Sequence, residues 1–113
     1  MKTEGIEAIY LHTHNWGKSA KFFQSLGFDL DFATDHNSGL LRSGQGPYLF
    51  IAEVPEGEPI GMQVVLKAAA GSPEPDDTTD VISPFEETHF GTKEMTVRDP
   101  DGRTWIVQAA AEA

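Results

Sequence analysis

Cysteine is missing from the 113 residues. That excludes disulfides, thiolate zinc sites, iron–sulfur clusters and cysteine nucleophiles. Positive charge is scarce, with Lys and Arg totalling 8 against 18 Asp and Glu, for a net charge of -10. Phosphate recognition needs clustered Lys and Arg to displace counterions, so nucleic acid is not an expected partner, and an anionic membrane surface is no better suited. No apolar run comes near the roughly 18 residues that a membrane span needs. The opening Met1–Gly5 has no hydrophobic leader, and the expectation is a cytoplasmic protein. What is present suffices for one domain: 39% hydrophobic residues, enough for a modest core at this length.

The pattern along the chain alternates strands with turns. Residues 6–13 read as a strand, apolar on both faces. Asn15 is a helix cap, and Trp16, Ser19, Ala20, Phe23 and Leu26 follow at helical spacing until Gly27 closes the helix. Strands are predicted over 28–34, with Phe28, Leu30 and Phe32 alternating against Asp29, Asp31 and Ala33, and over 40–43 and 48–54. Pro55-Glu56-Gly57-Glu58-Pro59 divides the chain near its midpoint. A strand is predicted over 60–69. The stretch 71–91 patterns poorly, with one or two helical turns at most over 78–83 and irregular chain over 84–91. Strands over 93–98 and 103–109 flank the turn Asp99-Pro100-Asp101-Gly102. There Pro100 presets φ, Asp99 can bond the turn backbone and Gly102 can take a positive φ.

Together these pieces resemble a known superfamily. The opening strand, Asn15, a helix with Phe22-Phe23, then Leu26-Gly27-Phe28, and later Thr96-Val97-Arg98-Asp99-Pro100-Asp101-Gly102 with Trp105 are similar to the vicinal oxygen chelate group. That group includes glyoxalases, bleomycin-resistance proteins and extradiol dioxygenases. The resemblance spans residues 6–109. It implies an α+β fold of paired βαβββ modules with curled mixed sheets around a concave cavity. One domain, 1–113, is expected, with a first module at 6–54 and a reduced second one at 60–109. It also implies pairing of modules or of chains, so a homodimer is expected, with contacts through Tyr10, the strand 60–67 and the segment around Phe85 and Phe90.

Enzymes of the superfamily hold one divalent metal with His, Gln and Glu side chains on four strands. By the resemblance, the first ligand position falls on Ala8, the third on Met62 and the fourth on Ile106, with the second at Ala52 or Glu53. Alanine and isoleucine have no donor atom, and a thioether is a poor ligand for a hard cation. A catalytic metal needs about three protein ligands and an open position, so the superfamily site is expected to be vacated. The alternative is a lyase, isomerase or dioxygenase with one divalent metal relocated to His12 and His14, completed by His89 or Glu53. The plainer reading of His12 and His14 is polar lining at a cavity rim, and His36 in its turn cluster reads as surface.

Serine-hydrolase chemistry has no Gly-x-Ser-x-Gly elbow to carry it. Gly44-Gln45-Gly46 lacks the rest of a dinucleotide fingerprint, and Asp76, Asp77 and Asp80 lack an EF-hand frame. The aromatics say more. If Ala8 faces the cavity, alternation sends Tyr10, His12 and His14 the same way. The candidate ligand-binding residues are Tyr10, His12, His14, Tyr48, Phe50, Met62, Trp105, Ile106 and Gln108, an apolar lining with a few polar groups. The expectation is a metal-free protein binding a small organic molecule, aromatic or cationic. The competing expectation is a cavity filled by its own side chains.

Overall fold

The structure is a computed structural model of the chain, and it describes residues 1–88 and 91–110. Among these it has eight strands and one helix: β1 (Thr3–Thr13), α1 (Trp16–Ser25), β2 (Asp29–Ala33), β3 (Ser38–Arg42), β4 (Tyr48–Glu53), β5 (Met62–Ala68), β6 (Asp80–Glu87), β7 (Lys93–Arg98) and β8 (Thr104–Gln108). This is a mixed α+β fold. The chain falls into two compact units, residues 8–63 and residues 1–7 with 64–113.

The first unit runs β1-α1-β2-β3-β4. Its strands lie in the order β2-β3-β4-β1, with β4 parallel to β1 and antiparallel to β3. Helix α1 begins where Asn15 turns out of helical geometry at φ -152°, its side chain accepting the Lys18 N–H at 3.0 Å. A second end group is taken up across the chain, where the Trp16 N–H donates to Glu53 Oε1 at 2.9 Å. At the other end Gly27 has φ 97°. The Phe28 N–H returns to the Phe23 carbonyl and the Gly27 N–H to that of Gln24. This paired closure places Phe28 against Phe23, ring centroids 5.6 Å apart. The helix covers one face of the strands. Leu41, Leu49 and Ile51 are buried there, with Ile9, Leu11, Trp16, Phe23 and Phe28 packed around them.

The second unit repeats the pairing without the helix. Strand β8 lies parallel to β5 and antiparallel to β7, which pairs antiparallel with β6. Ala68, Met95 and Val107 form its core, flanked by Leu66, Phe85 and Val97. Between β5 and β6 no helix occurs among the described residues. The chain turns instead, and Asp76 accepts both the backbone N–H and the hydroxyl of Thr78.

The structure corrects two elements. Residues 80–87 form a strand, not helical turns followed by irregular chain. Pro84 hid it, because proline has no N–H for a ladder. It is tolerated because β6 is outermost in its unit and its register slips between Val81 and Ser83 and between Ser83 and Glu86. Strand β2 exists, but every residue of it is exposed. A register shift between Leu30 and Phe32 breaks the expected alternation.

Candidate functional site

Strand alternation and register decide which side chains can meet. In the first unit Ala8, Tyr10 and His12 stand opposite Tyr48, Phe50 and Ala52 of β4. These in turn stand opposite Arg42, Leu40 and Ser38 of β3. Residues in register share a face, and the residues between them, Ile9, Leu11, Leu49, Ile51 and Leu41, pack against α1. The face away from the helix is therefore three rows deep: Ala8, Tyr48 and Arg42, then Tyr10, Phe50 and Leu40, then His12, Ala52 and Ser38.

This face has local order of its own. The rings of Tyr10 and Phe50 meet edge to face, centroids 6.1 Å apart. The Arg42 guanidinium carbon lies 4.5 Å from the centroid of the Tyr48 ring. Arg42 Nη1 donates to the Tyr48 hydroxyl at 2.9 Å, and its Nε to the Gly46 carbonyl at 3.1 Å. Ser38 is buried, its hydroxyl 2.6 Å from that of Thr34. The His12 N–H donates to the Gly61 carbonyl at 2.9 Å, and Met62 beyond it is 66% exposed.

Of the nine candidate residues, the structure therefore gathers Tyr10, His12, Tyr48 and Phe50 on one face. His14 leaves that row. It lies past the end of β1, where its Nε2 meets the Glu58 carbonyl at 2.8 Å. Trp105, Ile106 and Gln108 belong to the second unit. There Ile106 and Gln108 share a face, and Trp105, paired with Val97, lies on the other. Its Nε1 donates to Asp99 Oδ2 at 2.9 Å. Arg42 escaped notice in the sequence, yet it had a signal. It directly precedes the Ser43–Pro47 loop as Tyr48 directly follows it, and residues flanking a hairpin loop pair.

The metal question turns on donors. Ala8 is buried and has none to offer. Of the two residues at the second position, Ala52 lies on the open face, whereas Glu53 is opposite Thr13 and accepts the Trp16 N–H on the helix side. Glu53 is thus turned away from His12 and does not complete a relocated site. His89 and Phe90 lie outside the described residues. Among the described residues no three His, Asp or Glu side chains come together as a metal site, and Ala8, Met62 and Ile106, where the resemblance puts metal ligands, offer no side-chain donor suited to a hard divalent cation.

A separate cleft of about 310 Å³ in the second unit is lined by Thr78, Asp80, Arg98, Asp99, Pro100 and Gly102. Its charged groups are already engaged. Arg98 Nε lies 3.9 Å from Asp80, and Asp99 is bound up in its own turn. No helix among the described residues is long and apolar enough to cross a membrane.

No protein-family model matches the chain, and no curated protein is similar to it in sequence. Solved structures are similar in fold. A glyoxalase/bleomycin resistance protein/dioxygenase superfamily member from Vibrio splendidus 12B01 superposes with a TM-score of 0.64 at 17% identity, over 91% of this chain and 97% of that one. Methylmalonyl-CoA epimerase from Mycobacterium tuberculosis gives 0.67 at 8% identity, over 97% and 90%. That from Streptomyces coelicolor gives 0.61 at 12%, over 98% and 100%. The chain has the glyoxalase-like fold of the vicinal oxygen chelate proteins.

Proposed function

We propose that this protein binds a small aromatic molecule without a metal, on the face of the 8–63 unit that α1 leaves open. The observation that carries the reading is the placement of Tyr10, Phe50 and Tyr48 in adjacent rows of that face, where the family's first ligand position is an alanine. Flat rings in a row give a ligand's π-face stacking and edge-to-face partners, and His12 and Arg42 supply polar ends. Sequestration of the compound suits this lining, because aromatic and aliphatic side chains, Ala8, Tyr10, Leu40, Tyr48, Phe50 and Ala52, make up most of it. Two copies pairing about a two-fold axis belong to the same reading, since Ile60 and Met62 expose apolar surface beside the site, at 59% and 66%.

Two measurements test it. After dialysis the purified protein is expected to carry no stoichiometric Zn, Ni, Mn or Fe, and one metal per chain would overturn the metal-free reading. A thermal-shift screen of aromatic metabolites is expected to raise the melting temperature. A ligand at about 100 times its Kd adds about 2.7 kcal/mol. No shift across a broad set would count against binding.

A further inference from the structure

The three arginines of the chain are held in different ways. Arg98 sits 3.9 Å from the Asp80 carboxylate, and Arg103 bonds Asp99 at 2.8 Å. Arg42 is held by neutral acceptors, the Gly46 carbonyl and the Tyr48 hydroxyl. Asp29 stands across from it in the β2–β3 register, but the two form no ion pair. In a chain with 18 carboxylates and 8 Lys and Arg, a half-buried arginine with no carboxylate partner among the described residues needs an explanation. Partial burial of a cation is costly unless a counter-charge comes with it.

The geometry around Arg42 is fixed in advance. Stacking on Tyr48 sets the plane of the guanidinium. The two bonds use two of its five N–H groups, leaving three in a planar fork suited to a carboxylate. Arg42 occupies the row next to Tyr10, Phe50 and Leu40. Rows on a strand face are about 7 Å apart, so a ring lying over Phe50 could carry an acidic group to Arg42.

We propose that the ligand of this face is an aromatic anion, its carboxylate bound by Arg42 and its ring by Tyr10 and Phe50. This rests on the small-molecule reading above and adds the sign of the ligand's charge. It runs against the chain's net charge, because an anion that reaches the site is recognised by one preset cation rather than by the field of the whole protein.

Three probes of one shape separate the two ideas: 2-naphthoate, the neutral 2-naphthamide and the cationic 2-naphthylmethylammonium. Binding is followed by chemical shifts of the Tyr10 and Phe50 rings. The expected result is naphthoate binding about tenfold or more tighter than the amide, as for a charge-assisted bond. That preference should shrink as salt rises and fall to about onefold in Arg42→Gln. Arg42→Lys, which keeps the charge without the fork, should retain part of it. Melting curves of both variants establish that they are folded, and the preference in the unaltered protein stands as a test without them. Equal binding of naphthoate and naphthamide, or tighter binding of the ammonium, overturns the anion proposal and leaves the small-molecule reading intact. No binding of any of the three at this face overturns both.

Discussion

Asp99 accepts four N–H groups: those of the Asp101 and Arg103 backbone on Oδ1, and Arg103 Nε and Trp105 Nε1 on Oδ2. All four favour the carboxylate, the Trp105 bond most, and they hold the Asp99 pKa down to about 2. An unfolded aspartate titrates near 4, at about 3.9. Between those values the unfolded chain binds the extra proton, so the stability that Asp99 contributes is fully present above about pH 4 and is lost as pH falls through about 2. The expected outcome for Asp99→Asn is a lower melting temperature at pH 7 and a shallower loss between pH 4 and 2, the two melting curves drawing together at the acid end. Gly39 is a second residue with a narrow role. A Cβ built there would come within 2.5 Å of Trp16 Cη2 and 2.7 Å of the Phe32 carbonyl oxygen. The backbone oxygen cannot swing aside, so Gly39→Ala is expected to cost about 1–3 kcal/mol in urea unfolding, as overpacking does.

Elements in this protein hold by their ends as much as by their faces. Helix α1 has 10 residues, too few to persist alone in water. Its start depends on Asn15 and Glu53, its finish on Gly27. Asn15→Ala removes the acceptor for the Lys18 N–H and is expected to cost about 1 kcal/mol, read as a shift of the urea midpoint with the slope unchanged. Packing carries more. Ile51 is 1% exposed under that helix, and Ile51→Ala is expected to cost about 2–5 kcal/mol. Strand β6 stands at the other extreme. It is outermost in its unit, slips register twice and exposes Val81 and Ile82 at 39% and 44%. Its amides are expected to exchange with solvent sooner than those of β8, which has a hydrogen-bonded neighbour on each side.

For the molecule as a whole, the repeated scheme is in the strand pairing rather than in residue identity. A last strand lies parallel to the first in both units, β4 with β1 and β8 with β5. Among the described residues only the first unit has its own helix cover. Open backbone lies on β2 and β6, not on β1, which has β4 beside it and hydrogen-bonds Gly61 through His12. The exposed apolar side chains of those outer strands include Leu30, Phe32, Val81 and Ile82. Association through such surfaces is expected to give a dimer by light scattering at micromolar concentration, twice the 12.3 kDa of one chain. A mass of one chain would remove pairing from the proposal.

Local chemistry was enough to determine much of this. Asn15 and Gly27 bound the helix because cap groups act within a few residues. Asp99-Pro100-Asp101-Gly102 closes the last hairpin because its bonds are internal to the turn. Seven of the eight strands announce themselves through alternation and breakers. That Ala8 and Ile106 bring no side-chain donor to the positions where the resemblance puts metal ligands follows from residue identity alone. Tertiary structure decided the rest. Strand β6 became legible only as an outer strand, where Pro84 loses nothing by lacking an N–H. Glu53 and Ala52 are neighbours in sequence, and only the β1–β4 register assigns one to the helix side and the other to the open face. Trp105 and Ile106 part in the same way, because a one-residue step along a strand reverses the side chain. Arg42 is an ordinary cation in the sequence. It becomes a candidate anchor only when pairing across the hairpin sets it on Tyr48, beside Tyr10 and Phe50, with no acid among the described residues paired to it.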